Sequence, residues 1–194
     1  MGDAQTGVTI MFTDRGLDTG DMAISEAVDI GPEETAGELS DRLSLLGARL
    51  LVRAIHLIED GSCPRVPQDE TLATYEPMLK REDGLIDWAV SARKICDKVR
   101  GFNPWPGTYT VMPDGSALKI WACAARPDKA VPPDVRPGSV LLSSAKGGLF
   151  VACREGVLEI LEMQAAGTKR MTAKAYLMGK SLPEGIVLGE VDRA

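Results

Sequence analysis

The sequence predicts a two-part protein, an α/β segment followed by an all-β domain, and three features carry that expectation. Residues 6–12 (TGVTIMF) are a β-branched, apolar run ahead of an acidic, glycine-punctuated turn. Residues 35–60 repeat apolar side chains at three- and four-residue steps, as an amphipathic helix does. From residue 108 the apolar period changes to two and turn signals recur, giving five short strands in about sixty residues. That spacing suggests a small Greek-key barrel of OB type, while periodicity alone leaves an SH3-like barrel or a sandwich open.

Residues 6–12 are apolar on both faces, as a central strand of a covered sheet is, and 22–30 continue as a second strand with looser alternation. An isolated pair of strands is marginal, so this stretch predicts further strands ahead of it. Between the two lies Phe12-Thr13-Asp14-Arg15-Gly16-Leu17-Asp18-Thr19-Gly20-Asp21, with three aspartates in eight residues. Their mutual repulsion fits a ligand-binding loop, as do two glycines that admit positive φ or a close backbone approach. The same residues also fit a solvated hairpin connection, and spacing leaves both readings open.

For the helix, Thr35 and Glu38 make a capping-box pair, Leu39, Leu43, Leu46, Leu50, Ala54 and Leu57 form one stripe, and Gly61 ends it. The stripe needs a covering sheet, and the strand at 6–12 is the available one. His56 sits near the helix end, where the dipole favours it, with only Glu59 and Asp60 for company, and reads as structural.

Residues 61–80 are polar and proline-containing, an extended connection. The expected division is therefore 1–62, a linker at 63–84, and a helix with a barrel over 85–194. Asp87 is expected to cap a helix over 88–99, with Trp88, Ala92, Ile95 and Val99 inward and Arg93, Lys94, Asp97 and Lys98 outward. Phe102-Asn103-Pro104-Trp105-Pro106-Gly107 cannot be helix, because two prolines within three residues fix φ. Phe102 and Trp105 are expected to plug the junction of helix and barrel, with RNA stacking as the competing reading. The strands fall at 108–112, 117–125, 138–143, 149–153 and 157–163, with a proline-rich loop at 126–137. A short helix over 171–179 follows, and Lys169, Arg170, Lys174 and Lys180 beside it read as a basic patch or a solvated face.

With 44% hydrophobic and 26% charged residues the chain is ordinary for a globular protein that buries a core. No apolar run approaches the ~20 residues that span a bilayer, and the start has neither a basic nor an apolar signal region, so a cytoplasmic chain without a membrane partner is expected. Cys63, Cys96, Cys123 and Cys153 show no C-x-x-C spacing and there is one His, which supports neither a metal site nor a disulfide framework; they read as reduced, buried thiols. Net charge is −6, yet residues 1–80 hold six Lys/Arg against fifteen Asp/Glu and residues 81–194 hold sixteen against thirteen. The basic second half is consistent with contact to an RNA backbone.

These residues also carry a resemblance. Thr6-Gly7-Val8-Thr9-Ile10-Met11, Gly16-Leu17-Asp18-Thr19-Gly20-Asp21-Met22, Tyr75, Ile86-Asp87-Trp88, Arg100-Gly101-Phe102-Asn103-Pro104-Trp105-Pro106-Gly107, Leu118-Lys119-Ile120-Trp121 and Gln164-Ala165-Ala166-Gly167-Thr168-Lys169-Arg170-Met171 resemble, in order, segments of the methionyl-tRNA formyltransferase family. The acidic turn is shared with other enzymes that use formyltetrahydrofolate, and the proline corner with the Gln164–Met171 segment makes the likeness specific. The resemblance implies the C-terminal half of a Rossmann-like formyltransferase domain, a linker and an OB-like barrel. It implies formyl transfer from 10-formyltetrahydrofolate to the amino group of methionyl initiator tRNA, without a metal and by a monomer.

By the same resemblance Asp18 is catalytic, orienting a His and relaying protons, while Leu17, Thr19, Gly20 and Asp21 line the pterin pocket, with Asp14 a weaker candidate. The family's catalytic Asn and His lie upstream of the turn, outside these residues, so the chain alone is expected not to formylate methionyl-tRNA. Binding of tRNA would engage Lys169, Arg170, Lys174 and Arg100, or else the face of Arg93, Lys94, Lys98 and Arg100. Two other readings stand beside this one: a non-catalytic module that binds RNA or a partner, and part of a sugar-nucleotide formyltransferase.

Overall fold

A computed structural model describes residues 2–190, which divide into two compact units, Asp3–Met78 and a second running from Leu79. In the first unit, β1 (Gln5–Met11) and β2 (Met22–Asp29) pair antiparallel from Gln5↔Asp29 to Ile10↔Ile24. Helix α1 (Ala36–Glu59) packs on both strands. Its cap is the expected one: the Thr35 hydroxyl accepts from the Glu38 amide at 3.3 Å, and the Glu38 carboxylate accepts from the Thr35 amide at 2.9 Å. Leu46, Leu50 and Ala54 are buried.

The helix carries more apolar surface than one stripe, for Leu45, Leu51, Val52, Ile55 and Ile58 are exposed. Nor is β1 covered on both faces: among the described residues it pairs with β2 alone, and its burial alternates. A parallel, Rossmann-like sheet is therefore not formed by the described residues; this unit is α/β in content, with one antiparallel pair.

The second unit opens differently from the expected helix at 88–99. Asp87 accepts from the Ala89 amide at 2.8 Å, which turns the chain instead of starting a helix. Trp88 is thereby sunk into the core, where its indole N–H donates to Thr110 Oγ1 at 3.0 Å. Ser91 is the cap of α2 (Ala92–Gly101), accepting from the Lys94 amide. Ile95 and Val99 turn inward as expected. The corner after α2 departs from expectation at one residue: Phe102 is partly buried, but Trp105 is 56% exposed and plugs nothing.

The five expected strands form as β3 (Thr108–Val111), β4 (Ala117–Arg126), β5 (Val140–Ser144), β6 (Gly148–Ala152) and β7 (Val157–Ala165). A two-residue β8 (Met171–Thr172) pairs with β7 and runs into α3 (Ala173–Gly179), so the expected start of that helix at 171 is strand. The sheet order is β3-β4-β7-β6-β5. The expected closed OB-like barrel is not observed, because among the described residues β3 and β5 do not pair. The segment after α3 bonds to both edges instead: Leu188 donates to Gly138 O and Gly189 to Val111 O, while Val140 and residues 185–186 exchange backbone bonds. Leu118, Ile120, Leu149, Val151, Leu158, Ile160 and Met163 fill the core beneath.

Candidate functional site

The acidic turn joins β1 to β2 and is held by bonds within the loop and by side chains from residues 65–68. Phe12 donates its amide to Asp21 O at 2.9 Å, closing the loop. Asp14 Oδ1 accepts from the Gly16 amide and from Thr19 Oγ1, each at 2.7 Å. The Thr19 bond first, then the Gly16 bond, holds the Asp14 carboxyl below its usual range, since both stabilise the ionised form. Gly20 is buried, and a Cβ there would lie 1.6 Å from Phe12 O, so no other residue fits this crossing of the chain.

Two residues outside the turn pin it. Gln68 Nε2 donates to Asp18 O at 2.7 Å and to Gly20 O at 2.8 Å. The Arg65 guanidinium lies 3.9 Å from the Phe12 ring centroid and 3.8 Å from the Asp21 carboxylate. Both are delivered by a short bridge, Val66 to Met22, inside the stretch that reads in the sequence as linker. A polar, three-proline segment gives no periodic signal for one bridge, so sequence reasoning missed them.

The result is a rigid loop with its chemistry facing out. Asp18 has φ of 56°, its backbone is fixed by Gln68, and among the described residues its exposed carboxylate has no partner. Leu17 beside it is 86% exposed. The turn thus sets an apolar side chain next to an unengaged carboxylate, while Thr19, Gly20 and Asp21 spend their polar groups on holding the loop.

The basic residues separate. Lys169 and Lys174 are exposed. Arg170 donates Nε to Glu162 at 2.7 Å and stands 5.1 Å from the Trp121 ring, with Lys119 at 5.7 Å on the same indole. Arg100 lies on α2 rather than with this group, and donates to Asp97 at 2.7 Å. On that helix Lys98 donates to Leu85 O at 2.6 Å, and burial draws its ammonium below the usual lysine value. Trp121 with its two cations is an aromatic-basic spot that charge counting missed. Among the described residues no group of His, Cys, Asp and Glu is arranged to hold a metal, and His56 meets only Glu59 at 3.4 Å.

Comparison with known proteins decides the family. The formyl transferase C-terminal domain matches residues 78–181, and the formyl transferase domain itself matches residues 1–55. This chain belongs to the formyl transferase family. A methionyl-tRNA formyltransferase from Desulforamulus reducens is 46% identical over 188 residues, which cover 97% of this chain and 58% of the relative. The formyl transferase chain therefore spans somewhat over half the length of such relatives. Among solved structures, HypX from Aquifex aeolicus in complex with tetrahydrofolic acid covers 92% of the chain at 18% identity with a TM-score of 0.64, the match taking in 30% of HypX. An N-formyltransferase from Helicobacter canadensis, in complex with folinic acid and dTDP-3-aminofucose, covers 84% of the chain at 15% identity with a TM-score of 0.63, over 57% of its own length. At such identities the two structures speak for the fold alone.

Proposed function

We propose that this chain is part of a methionyl-tRNA formyltransferase, in which the acidic turn faces a 10-formyltetrahydrofolate donor and the second unit holds initiator tRNA. The observation that carries the reading is the 46% identity to a methionyl-tRNA formyltransferase along 97% of the chain, against 15% to the sugar enzyme. Transfer requires the amine nitrogen to attack the formyl carbon while a base removes the amine proton and a donor stabilises the oxygen. Asp18 is the chain's contribution: a carboxylate on a fixed backbone is suited to orient an imidazole and relay a proton. Leu17, with the neighbouring backbone of Thr19, Gly20 and Asp21, would line a pocket for the flat pterin ring, and the Gln68 clamp keeps the turn in place.

The rest of the catalytic set is not drawn from these residues. The single Asn, Asn103, donates to Trp121 O at 3.4 Å, and the single His, His56, is exposed on α1. In this reading the base and the electrophile come from the part of the enzyme that the relatives carry and this sequence does not cover. In this reading the protein works in the cytoplasm as a monomer. Among the described residues no helix is long and apolar enough to cross a membrane.

The test is a chimera that places the part of the Desulforamulus reducens relative lying outside the match ahead of this chain. Given formyltetrahydrofolate, it should formylate methionyl initiator tRNA and not a dTDP-amino sugar. Asp18→Ala should lower kcat by about 10²- to 10⁴-fold, the range of a lost acid–base group. A chimera that folds and formylates the sugar, or one indifferent to Asp18→Ala, would overturn the proposal.

A further inference from the structure

The four cysteines read in the sequence as unrelated buried thiols, but the fold brings two of them together. We propose that Cys96 on α2 and Cys123 on β4 form a reversible intramolecular disulfide, which makes the second unit a partner for thiol–disulfide exchange with small disulfides. Their Sγ atoms stand 3.4 Å apart, with the Cys123 thiol donating to Cys96. A modest side-chain rotation closes that gap to the roughly 2.05 Å of an S–S bond. Both residues are only partly buried, so a small reagent has a way in.

The backbone contributes to the pairing. The β4–β7 register shifts between Ile120 and Ala122 and again between Ala122 and Cys123. Such irregularities re-aim side chains, and here one falls at Cys123, whose strand packs against α2. The two thiols are also unequal. The bond from Cys123 holds Cys96 below the ordinary cysteine value, and the Ala125 amide adds to this; the same bond and burial raise Cys123. Cys153, fully buried, is pushed up to about 12 by desolvation and stands aside.

The exchange is balanced with a low-molecular-weight disulfide as oxidant. The Cys96 thiolate attacks one sulfur of oxidised glutathione, forming a mixed disulfide and releasing one glutathione thiolate. Cys123 then loses its proton to solvent and attacks Cys96 Sγ, forming the protein disulfide and releasing the second glutathione. Two protein thiols are oxidised and one glutathione disulfide is reduced to two thiols.

The experiment uses the full chain, equilibrated with mixtures of oxidised and reduced glutathione, alkylated and digested without reduction. Mass spectrometry should find the tryptic peptide beginning at Ile95 joined to the one beginning at Ile120, two hydrogens lighter than their sum, with Cys63 and Cys153 alkylated. Cys123→Ser should trap glutathione on Cys96, and Cys96→Ser should leave Cys123 alkylated. The proposal is overturned if no linked peptide forms at any ratio, if glutathione persists on Cys96 of the unaltered chain, or if Cys123 is linked to Cys153.

Discussion

Asp14 and Asp18 stand four residues apart in one turn and are differently placed: the Asp14 carboxylate holds the loop, while that of Asp18 is exposed and, among the described residues, without a partner. The Asp14 carboxylate accepts from Gly16 and Thr19 and is depressed below its usual value by those bonds. A depressed carboxyl stabilises the fold above its unfolded value, roughly 3.9, and that contribution is lost as pH falls through the lower, folded value. The Gly16 amide should therefore be protected at neutral pH and lose protection only in acid, in step with Asp14. Asp14→Asn keeps an acceptor oxygen without the titration. NMR-detected exchange of Gly16 from pH 2 to 6 should show the acid loss in the parent chain and not in the variant. An identical profile in both would mean that another group controls the turn.

At the scale of elements, most of what was legible in the sequence came from local signals. The Thr35–Glu38 box and the leucine stripe located α1, and period-two alternation located five strands, because caps and faces are written within a few residues of where they act. What failed was set by tertiary context. Asp87 has the chemistry of a helix cap, yet burial of Trp88 against Thr110 makes it a turn residue and moves the cap to Ser91. The bonding of residues 185–189 to β3 and β5, and of Gln68 to the turn, has no local pattern at all. The Trp88–Thr110 bond is accordingly a sensitive point, since Thr110 is 0% exposed and its partner 5%. Thr110→Val keeps the shape and strands an indole N–H, which should cost about 1–3 kcal/mol. Urea unfolding monitored by tryptophan fluorescence measures it, and a variant within a few tenths of the parent would show that Trp88 finds another acceptor.

At the scale of the whole molecule the two units differ in core and in charge. Of the buried apolar residues among those described, only Ala23, Leu46, Leu50 and Ala54 belong to the first unit, while α1 leaves Leu45, Leu51, Val52, Ile55 and Ile58 in solvent. With little burial to offset chain entropy, the first unit should open at lower free energy, and amides of residues 8–11 should exchange well before those of 119–122. Equal protection in the two sets would reveal a partner for α1, such as a second copy of the chain. The charge difference bears on RNA: the second half is the basic one, but Arg100 and Arg170 already face Asp97 and Glu162. A guanidinium that serves a carboxylate releases fewer counterions when it meets a phosphate than an unpaired ammonium does. If the second unit holds tRNA as proposed, Lys169 and Lys174 should therefore set the electrostatic part of that affinity. Replacing both by Ala should flatten the slope of log K against log salt by roughly 0.7–0.9 for each phosphate left without its lysine, with no change in preference among tRNAs. Arg170→Ala should change the slope less than either lysine, and a larger effect would mean that tRNA draws Arg170 away from Glu162 and onto its own backbone.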